Sequence, residues 1–224
     1  MGAMYEYRYP HPAVTADIVV FTIRHGALKL LLIKRAEDPY LGSWALPGGF
    51  VGISEDLDEA AERELGEETG VTGVYLEQLY TFGKPDRDPR ERVITVAYYA
   101  LIPSDRIQIR AASDAEAVGW FALDEIPTLA FDHQKILDMA LERLRAKLDY
   151  STIAFQFMPK EFTLTELQSV YELILGEPVD KRNFRKRILA LQAIEETGQE
   201  RREAAHRPAK LYRAIEPETV RIIK

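Results

Sequence analysis

The stretch that most narrows what this chain can fold into is residues 48–71, GGFVGISEDLDEAAERELGEETGV. Residues 56–69 read as a helix, with Ser54 placed as its N-cap and acids filling the first turn, where they suit the helix dipole. On that helix Glu64 and Glu68 stand at i and i+4 and Glu67 at i+3, so three carboxylates share one side within about 6 Å of each other. Their repulsion is unfavourable without a cation. Hard oxygen ligands suit Mg²⁺ or Mn²⁺, which bind through one or two carboxylates plus substrate phosphates. Ala60, Ala61 and Leu65 supply the packing face, and Gly49 and Gly70 permit a tight backbone before and after. A divalent metal beside such a helix polarises a pyrophosphate. The plain alternative is a solvated acidic helix, but surface helices normally mix charge signs.

The 224 residues, 46% hydrophobic and 29% charged, match an ordinary globular protein of one large domain or two modest ones. With no cysteine there is no disulfide framework, thiolate metal site or cysteine nucleophile. No stretch reaches the ~18–20 apolar residues of a membrane span, and the N-terminus lacks an apolar targeting region, so the expectation is a soluble cytoplasmic protein. Residues 14–24 and the apolar run ALKLLLIKR after His25 and Gly26 look like a hairpin, and 74–82, 93–101 and 117–121 are further strand candidates. A second helix over about 132–148 places Ile136, Met139, Ala140, Leu144 and Leu148 on one face. The class is α/β, in the α+β sense.

Between two strands lies FGKPDRDPRER, where Lys84, Arg87, Arg90 and Arg92 are placed to contact a diphosphate, since arginine forms bidentate bonds to phosphate oxygens. The same composition also makes a solubilising loop.

Net charge is −7, from 29 Lys+Arg and 36 Asp+Glu, and it is unevenly spread. Residues 1–150 carry 16 basic and 25 acidic side chains, a balance of −9, while 151–224 carry 13 and 11, a balance of +2. In the second part 153–158, IAFQFM, reads as a strand, and a helix opens at Thr163 and ends at Gly176. A short link leads to a second helix, KRNFRKRILAL, and a polar hairpin follows. Two helices and a basic hairpin make a winged helix-turn-helix. In the second helix Phe184, Ile188 and Leu191 face the core, while Arg182 and Lys186 point away, with Asn183, Arg185 and Arg187 to either side. Leu189 falls on the exposed half, which this register does not explain. Such a helix start pairs with phosphates and reads base edges of double-stranded DNA, and Arg201, Arg202, Arg207, Lys210 and His206 would form a wing on the adjacent backbone. A merely solvated helix face is the competing reading.

The 48–71 stretch resembles, at every fixed position, the signature of the Nudix hydrolases, which cleave a nucleoside diphosphate linked to another group. That resemblance implies an α/β/α sandwich. Glu64, Glu67 and Glu68 would hold the metal with the Gly49 carbonyl assisting, and Arg63 and Glu55 would brace loop and helix by ion pairing. A general base is expected at Glu116 or Asp114, each of which also reads as a surface acid. WALPGGF and EAVGWFALDEIP look like the flanks of that fold. Arg35 is a possible substrate contact near its entrance, or a strand-end charge.

The arginine loop with VITVAYYAL resembles ADP-ribose pyrophosphatase domains and the ligand domain of the Nudix-related transcriptional regulators of NAD metabolism. FTLTELQSVYELILGEPVDKRNFRKRI looks like the winged-helix half of that regulator family. The resemblance covers about 5–224, as a Nudix domain over 5–150 and a winged helix over 151–224. It implies a Mg²⁺- or Mn²⁺-dependent hydrolase of a nucleotide such as ADP-ribose, joined as a homodimer to DNA and regulating NAD or sugar metabolism. Two other readings stand beside it: a non-catalytic sensor repressor, and an ADP-ribose pyrophosphatase with an accessory C-terminal domain. Members of the regulator family often have an eroded box, whereas here every box residue is present.

Overall fold

A computed structural model of the chain describes residues 7–103, 105, 115–202 and 208–223. Its centre is β1 (Ala13–Arg24), which pairs in parallel with β6 (Val93–Ile102) along Ala13–Thr22. The other edge of β1 takes two antiparallel partners in turn: β4 (Gly48–Phe50) against Thr15–Asp17, and β2 (Ala27–Arg35) against Phe21–Arg24. The β1–β2 hairpin turns through His25 and Gly26, both at positive φ (53° and 71°), the conformation a tight hairpin turn requires. Beyond β2 lie β3 (Trp44–Ala45) and β7 (Ala115–Ala122), and beyond β6 lies β5 (Tyr75–Phe82).

Both faces of this sheet are covered, which is why β1 reads as a nearly continuous apolar run rather than an alternation. Ala16, Ile18 and Val20 join one cluster with Ala60, Ala61 and Leu65 of α1 (Leu57–Thr69). Val19 and Phe21 join the other with Ile136, Leu137, Ala140, Leu144 and Leu148 of α2 (His133–Tyr150). The result is an α/β/α sandwich. The N-cap of α1 is Asp56, not Ser54: Glu59 closes a capping box back onto the Asp56 N–H, and a helix can begin only where its free N–H groups find such partners.

The second cluster does not stop at the end of α2. It continues through Ile153, Ala154, Phe155 and Phe157 into Leu164, Leu167, Ile174, Phe184 and Ile188 of the C-terminal half. The expected strand at 153–158 is instead a 3₁₀ turn, Ile153–Phe157, with every residue buried. A short apolar run without alternation does not distinguish the two, and burial on all sides selects the turn here. Helix α3 (Leu164–Leu175) has a Thr163/Glu166 capping box and ends at Gly176 (φ 79°). Helix α4 (Lys181–Ala190) starts at Asp180, whose side chain accepts from the Asn183 N–H. Strands β8 (Ile194–Arg201) and β9 (Ala209–Ala214) form the hairpin, and Phe162 adds a bridge to Tyr212. This is a winged helix. Among the described residues no helix is long and apolar enough to cross a membrane.

Candidate functional site

Glycines 48 and 49 bring β4 against α1. A Cβ on Gly49 would lie 2.3 Å from Glu64 Oε1, and one on Gly48 (φ 153°) would lie 2.2 Å from the Ala16 carbonyl oxygen. A side chain at Gly49 would force the Glu64 carboxylate away from the strand, and one at Gly48 would collide with β1 at Ala16 and Asp17. The Gly48 N–H donates to Glu68 Oε2 (2.7 Å). Arg63 binds the rest: Nε to Glu55 Oε1 at 2.6 Å, Nη2 to Glu55 Oε2 at 2.9 Å, and Nη1 to Glu64 Oε1 at 2.7 Å and Glu67 Oε2 at 3.0 Å. Its Nη2 also reaches the Phe50 carbonyl (3.2 Å), tying α1 to the end of β4. Arg63 and the Gly52 N–H hold the Glu55 carboxyl down at about 2. Burial raises Glu64, and burial, with Glu64 and Asp17 nearby, pushes Glu68 up to about 8 against the pull of the Gly48 N–H. Glu67 lies outward with 62% of its side chain exposed. The three acids are therefore not gathered at one point, and among the described residues no cluster of three or more metal-ligating side chains is assembled. The donor chemistry still fits a divalent cation: two carboxylates are held in a poorly solvated place where their negative charge is costly and a hard cation would relieve that cost.

A cavity of about 330 Å³ opens beside these groups, lined by Glu68, Gly48, Gly49, Asp17, Arg35, Arg87, Arg90, Phe50, Phe131 and His133 among others. Arg35 is anchored to the carbonyls of Pro39 (2.8 Å) and Glu37 (3.3 Å), and Arg90 to Asp88 through two nitrogens (3.0 and 2.7 Å). Both guanidiniums pack on aromatic rings, Arg35 4.9 Å from Phe131, Arg90 5.2 Å from Phe50 and 5.7 Å from Phe131. Burial and then the charge of Arg90 lower the Arg35 pKa. The cavity thus holds charge of both signs, guanidiniums interleaved with carboxylates, with burial disfavouring the charge on Glu68 and on Arg35, a lining complementary to a cation–diphosphate pair.

Of the loop cations expected at this site, Lys84 lies on the surface paired with Asp86, and Arg92 binds the carbonyls of Lys84 and Val93. Neither lines the cavity. Arg87 does, but it is no exposed loop residue. Only 3% of its side chain is accessible, and it is ion-paired to Asp17 (3.2 Å) and Asp132 (2.8 Å). His133 is buried beside them, accepts from the Leu46 N–H through Nδ1, and is kept neutral by burial. Sequence reasoning passed over Asp17, Asp132, His133 and Phe131. Asp17 carried a signal, a lone charge inside the apolar run of β1, whereas the others lie where a loop meets a helix and show no periodicity. Glu116 lies on β7 at an irregularity in the pairing with β2, its side chain outside the described residues, as is all of Asp114.

In the C-terminal half Phe184 and Ile188 are buried and Leu191 packs against the same core. Arg182, Asn183, Arg185 and Lys186 project into solvent, as does Leu189 at 49% exposure. The wing is less free than expected. Lys210 pairs with Glu196 and Arg213 with Glu195, because the hairpin's own acids face its cations across the strands, and Arg201 pairs with Glu166 of α3. Arg202 is exposed, and Arg207 and His206 fall outside the described residues.

Comparison with known proteins gives a consistent picture. The NUDIX domain family matches residues 11–140 and the NrtR DNA-binding winged helix domain family matches 154–214. The chain is 42% identical over 209 residues, 92% of its own length and 83% of the relative's, to the ADPR responsive transcriptional repressor NtrR of Acinetobacter baylyi. It is 41% identical over 133 residues, 59% of its length and 75% of the relative's, to the ADP-ribose pyrophosphatase of Methanocaldococcus jannaschii. The crystal structure of Shewanella oneidensis NrtR complexed with a 27mer DNA superposes with a TM-score of 0.81 at 39% identity, covering 92% of this chain and 95% of that one.

Proposed function

The chain belongs to the NrtR family, a Nudix domain followed by a DNA-binding winged helix, and from that premise we propose that it is a transcriptional repressor that binds ADP-ribose and retains the capacity to hydrolyse it. The observation that carries this reading is the cavity lined by Glu68, Arg35 and Arg90, beside which Glu64 sits against Gly49. Arg35 and Arg90 bind the diphosphate, each already fixed by its own protein partners so that little side-chain freedom is lost on binding. Glu64 and Glu68, with Glu67 turning in from Arg63, hold Mg²⁺ or Mn²⁺, which supplies charge neutralisation for the diphosphate. Arg63 and Glu55 keep α1 and β4 in register, and Glu116 is the general base. Arg182, Asn183, Arg185 and Lys186 of α4 meet the major groove, with Arg202 and Arg207 on the wing, as a homodimer on a near-palindromic site.

A panel of nucleoside diphosphate derivatives with Mg²⁺, run alongside a DNA shift with each compound, tests both halves. Metal-dependent cleavage of ADP-ribose that Glu68→Gln abolishes is the expected result; unchanged turnover in that variant removes the metal assignment. The outward Glu67, paired with Arg63 instead of standing beside Glu64 and Glu68, favours a second reading, a sensor that binds ADP-ribose without cleaving it. Tight binding with no Mg²⁺-dependent product would select it.

A further inference from the structure

The ligand cavity and the exposed basic helix stand at opposite ends of one element, α2. An aspartate directly before a helix ordinarily turns its side chain onto the free N–H groups of the first turn. Asp132, at φ −100° and ψ 23° rather than the extended backbone of a cap, makes no such bond, and the His133 and Lys135 N–H groups donate to the Ala130 and Asp132 carbonyls. Asp132 gives Oδ1 and Oδ2 to Arg87 instead, at 2.8 and 3.3 Å. Arg87 lines the cavity with 3% of its side chain accessible, and a diphosphate reaching it there would compete with Asp132 for the guanidinium. At the far end, 18 residues on and about 27 Å away at 1.5 Å per residue, α2 exposes the last carbonyls that no helix can pair internally. Arg187 of α4 takes two of them, donating through Nη2 to the oxygens of Leu148 (2.7 Å) and Asp149 (2.9 Å). Arg145 of α2 in turn donates to the Ile174 carbonyl at the end of α3 (3.0 Å). Both helices of the winged half are thereby keyed to the last turn of α2 by directional bonds. Arg187 differs in this from Arg182, Arg185 and Lys186, which project into solvent without an ion pair among the described residues.

We propose that Arg187 is a positioning residue and not a DNA contact: it locks the pose of α4 to the end of α2, so that ligand capture of Arg87, which releases Asp132 at the start of α2, is felt at the recognition helix. The proposal rests on the reading above, in which a diphosphate ligand changes DNA affinity. It gives that change two discrete arrangements of one ion pair, Arg87 on Asp132 or Arg87 on the ligand, which the ligand selects between.

The full-length chain is titrated onto a duplex from its own promoter region with and without saturating ADP-ribose, without added Mg²⁺ so that the ligand persists. The ratio of the two DNA dissociation constants is the coupling factor. Wild type is expected to show a factor of about fivefold or more. Arg187→Gln is expected to bring it within about twofold of unity while the calorimetric ADP-ribose affinity of the DNA-free chain, which also reports correct folding, stays near wild type. Arg187→Lys keeps the charge but lacks the planar fork that spans two carbonyls, and is expected to lose most of the coupling as well. If Arg187→Gln weakens DNA binding equally with and without ligand, and Arg187→Lys restores it, Arg187 is a phosphate contact and the proposal is overturned. A wild-type factor of one would instead overturn the regulatory reading itself, and the proposal with it.

Discussion

Arg63 illustrates how much of the site depends on single side chains. Five acceptor atoms from four residues, on β4, α1 and the loop between them, meet at one guanidinium, and its pKa is raised well above the ordinary arginine value by Glu55 first and then Glu64. Gly49 is equally exposed to substitution. A methyl group there collides with the Glu64 carboxylate, so Gly49→Ala is expected to lower metal-dependent turnover by roughly 10–100-fold, the usual effect of displacing a group that orients a ligand. Turnover within twofold of wild type would show that Glu64 need not sit against β4. Glu68 gives a prediction in pH. Its carboxyl, ordinarily near 4.5, is raised to about 8 by burial, so the folded chain holds this proton more tightly than the unfolded chain. Metal-free stability from this group is therefore fully present at low pH and is lost as pH rises from the unfolded value toward the folded one. In EDTA, Glu68→Gln is expected to exceed wild type by about 2 kcal/mol near pH 9, discounted for solvent screening, and to match it near pH 4. Denaturant curves that stay parallel across that range would show that Glu68 ionises freely.

At the scale of elements, α1 was legible because its pattern is local: the apolar face and the acid spacing fall within some twenty residues, while its N-cap lies at Asp56, two residues past the Ser54 that the sequence suggests. The same holds for α3 and α4, whose start and stop residues carry their own chemistry. What the sequence hid are pairings between segments far apart in the chain. Arg87 looks like every other cation of its loop, and only the meeting of residues 17, 87 and 132 buries it. The hairpin cations look free until β8 is laid against β9 in register. That difference sharpens the DNA prediction: with Arg201, Lys210 and Arg213 occupied by acids, α4 bears most of the phosphate-facing charge. Arg182→Ala/Lys186→Ala is expected to reduce the slope of log affinity against log salt by about 2 and to weaken binding across sequences alike. An unchanged slope, measured by anisotropy between low and moderate salt, would move the contact surface elsewhere.

Across the whole molecule, the two functional halves share one hydrophobic core. Leu144 and Leu148 of α2, Phe155 and Phe157 of the 3₁₀ turn, and Ile174, Phe184 and Ile188 of the winged half belong to a single buried cluster, so there is no apolar break where the chain passes from one half to the other. The joint is also stitched by polar bonds. The half-buried Glu77 carboxyl, pushed up by desolvation but held below its ordinary range by Lys147, Tyr75 and Tyr99, ties β5 to α2 inside the first half, and across the joint the Tyr150 carbonyl accepts from the Ile223 N–H (2.6 Å). Halves joined in this way should unfold as one cooperative unit rather than as beads on a linker. Two intrinsic probes report different parts: both tryptophans, Trp44 and Trp120, lie in the sheet of the first half, while helical circular dichroism sums α1 and α2 of that half with α3 and α4 of the other. Phe157→Ala, at the joint and 2% exposed, removes core contacts of both and is expected to cost about 3–5 kcal/mol. If the core is shared, the fluorescence and dichroism midpoints move down together in urea. A tryptophan transition that keeps its wild-type midpoint while the helical signal falls early would divide the molecule into independent domains, and would leave α2 unable to hold the recognition helix to the ligand cavity.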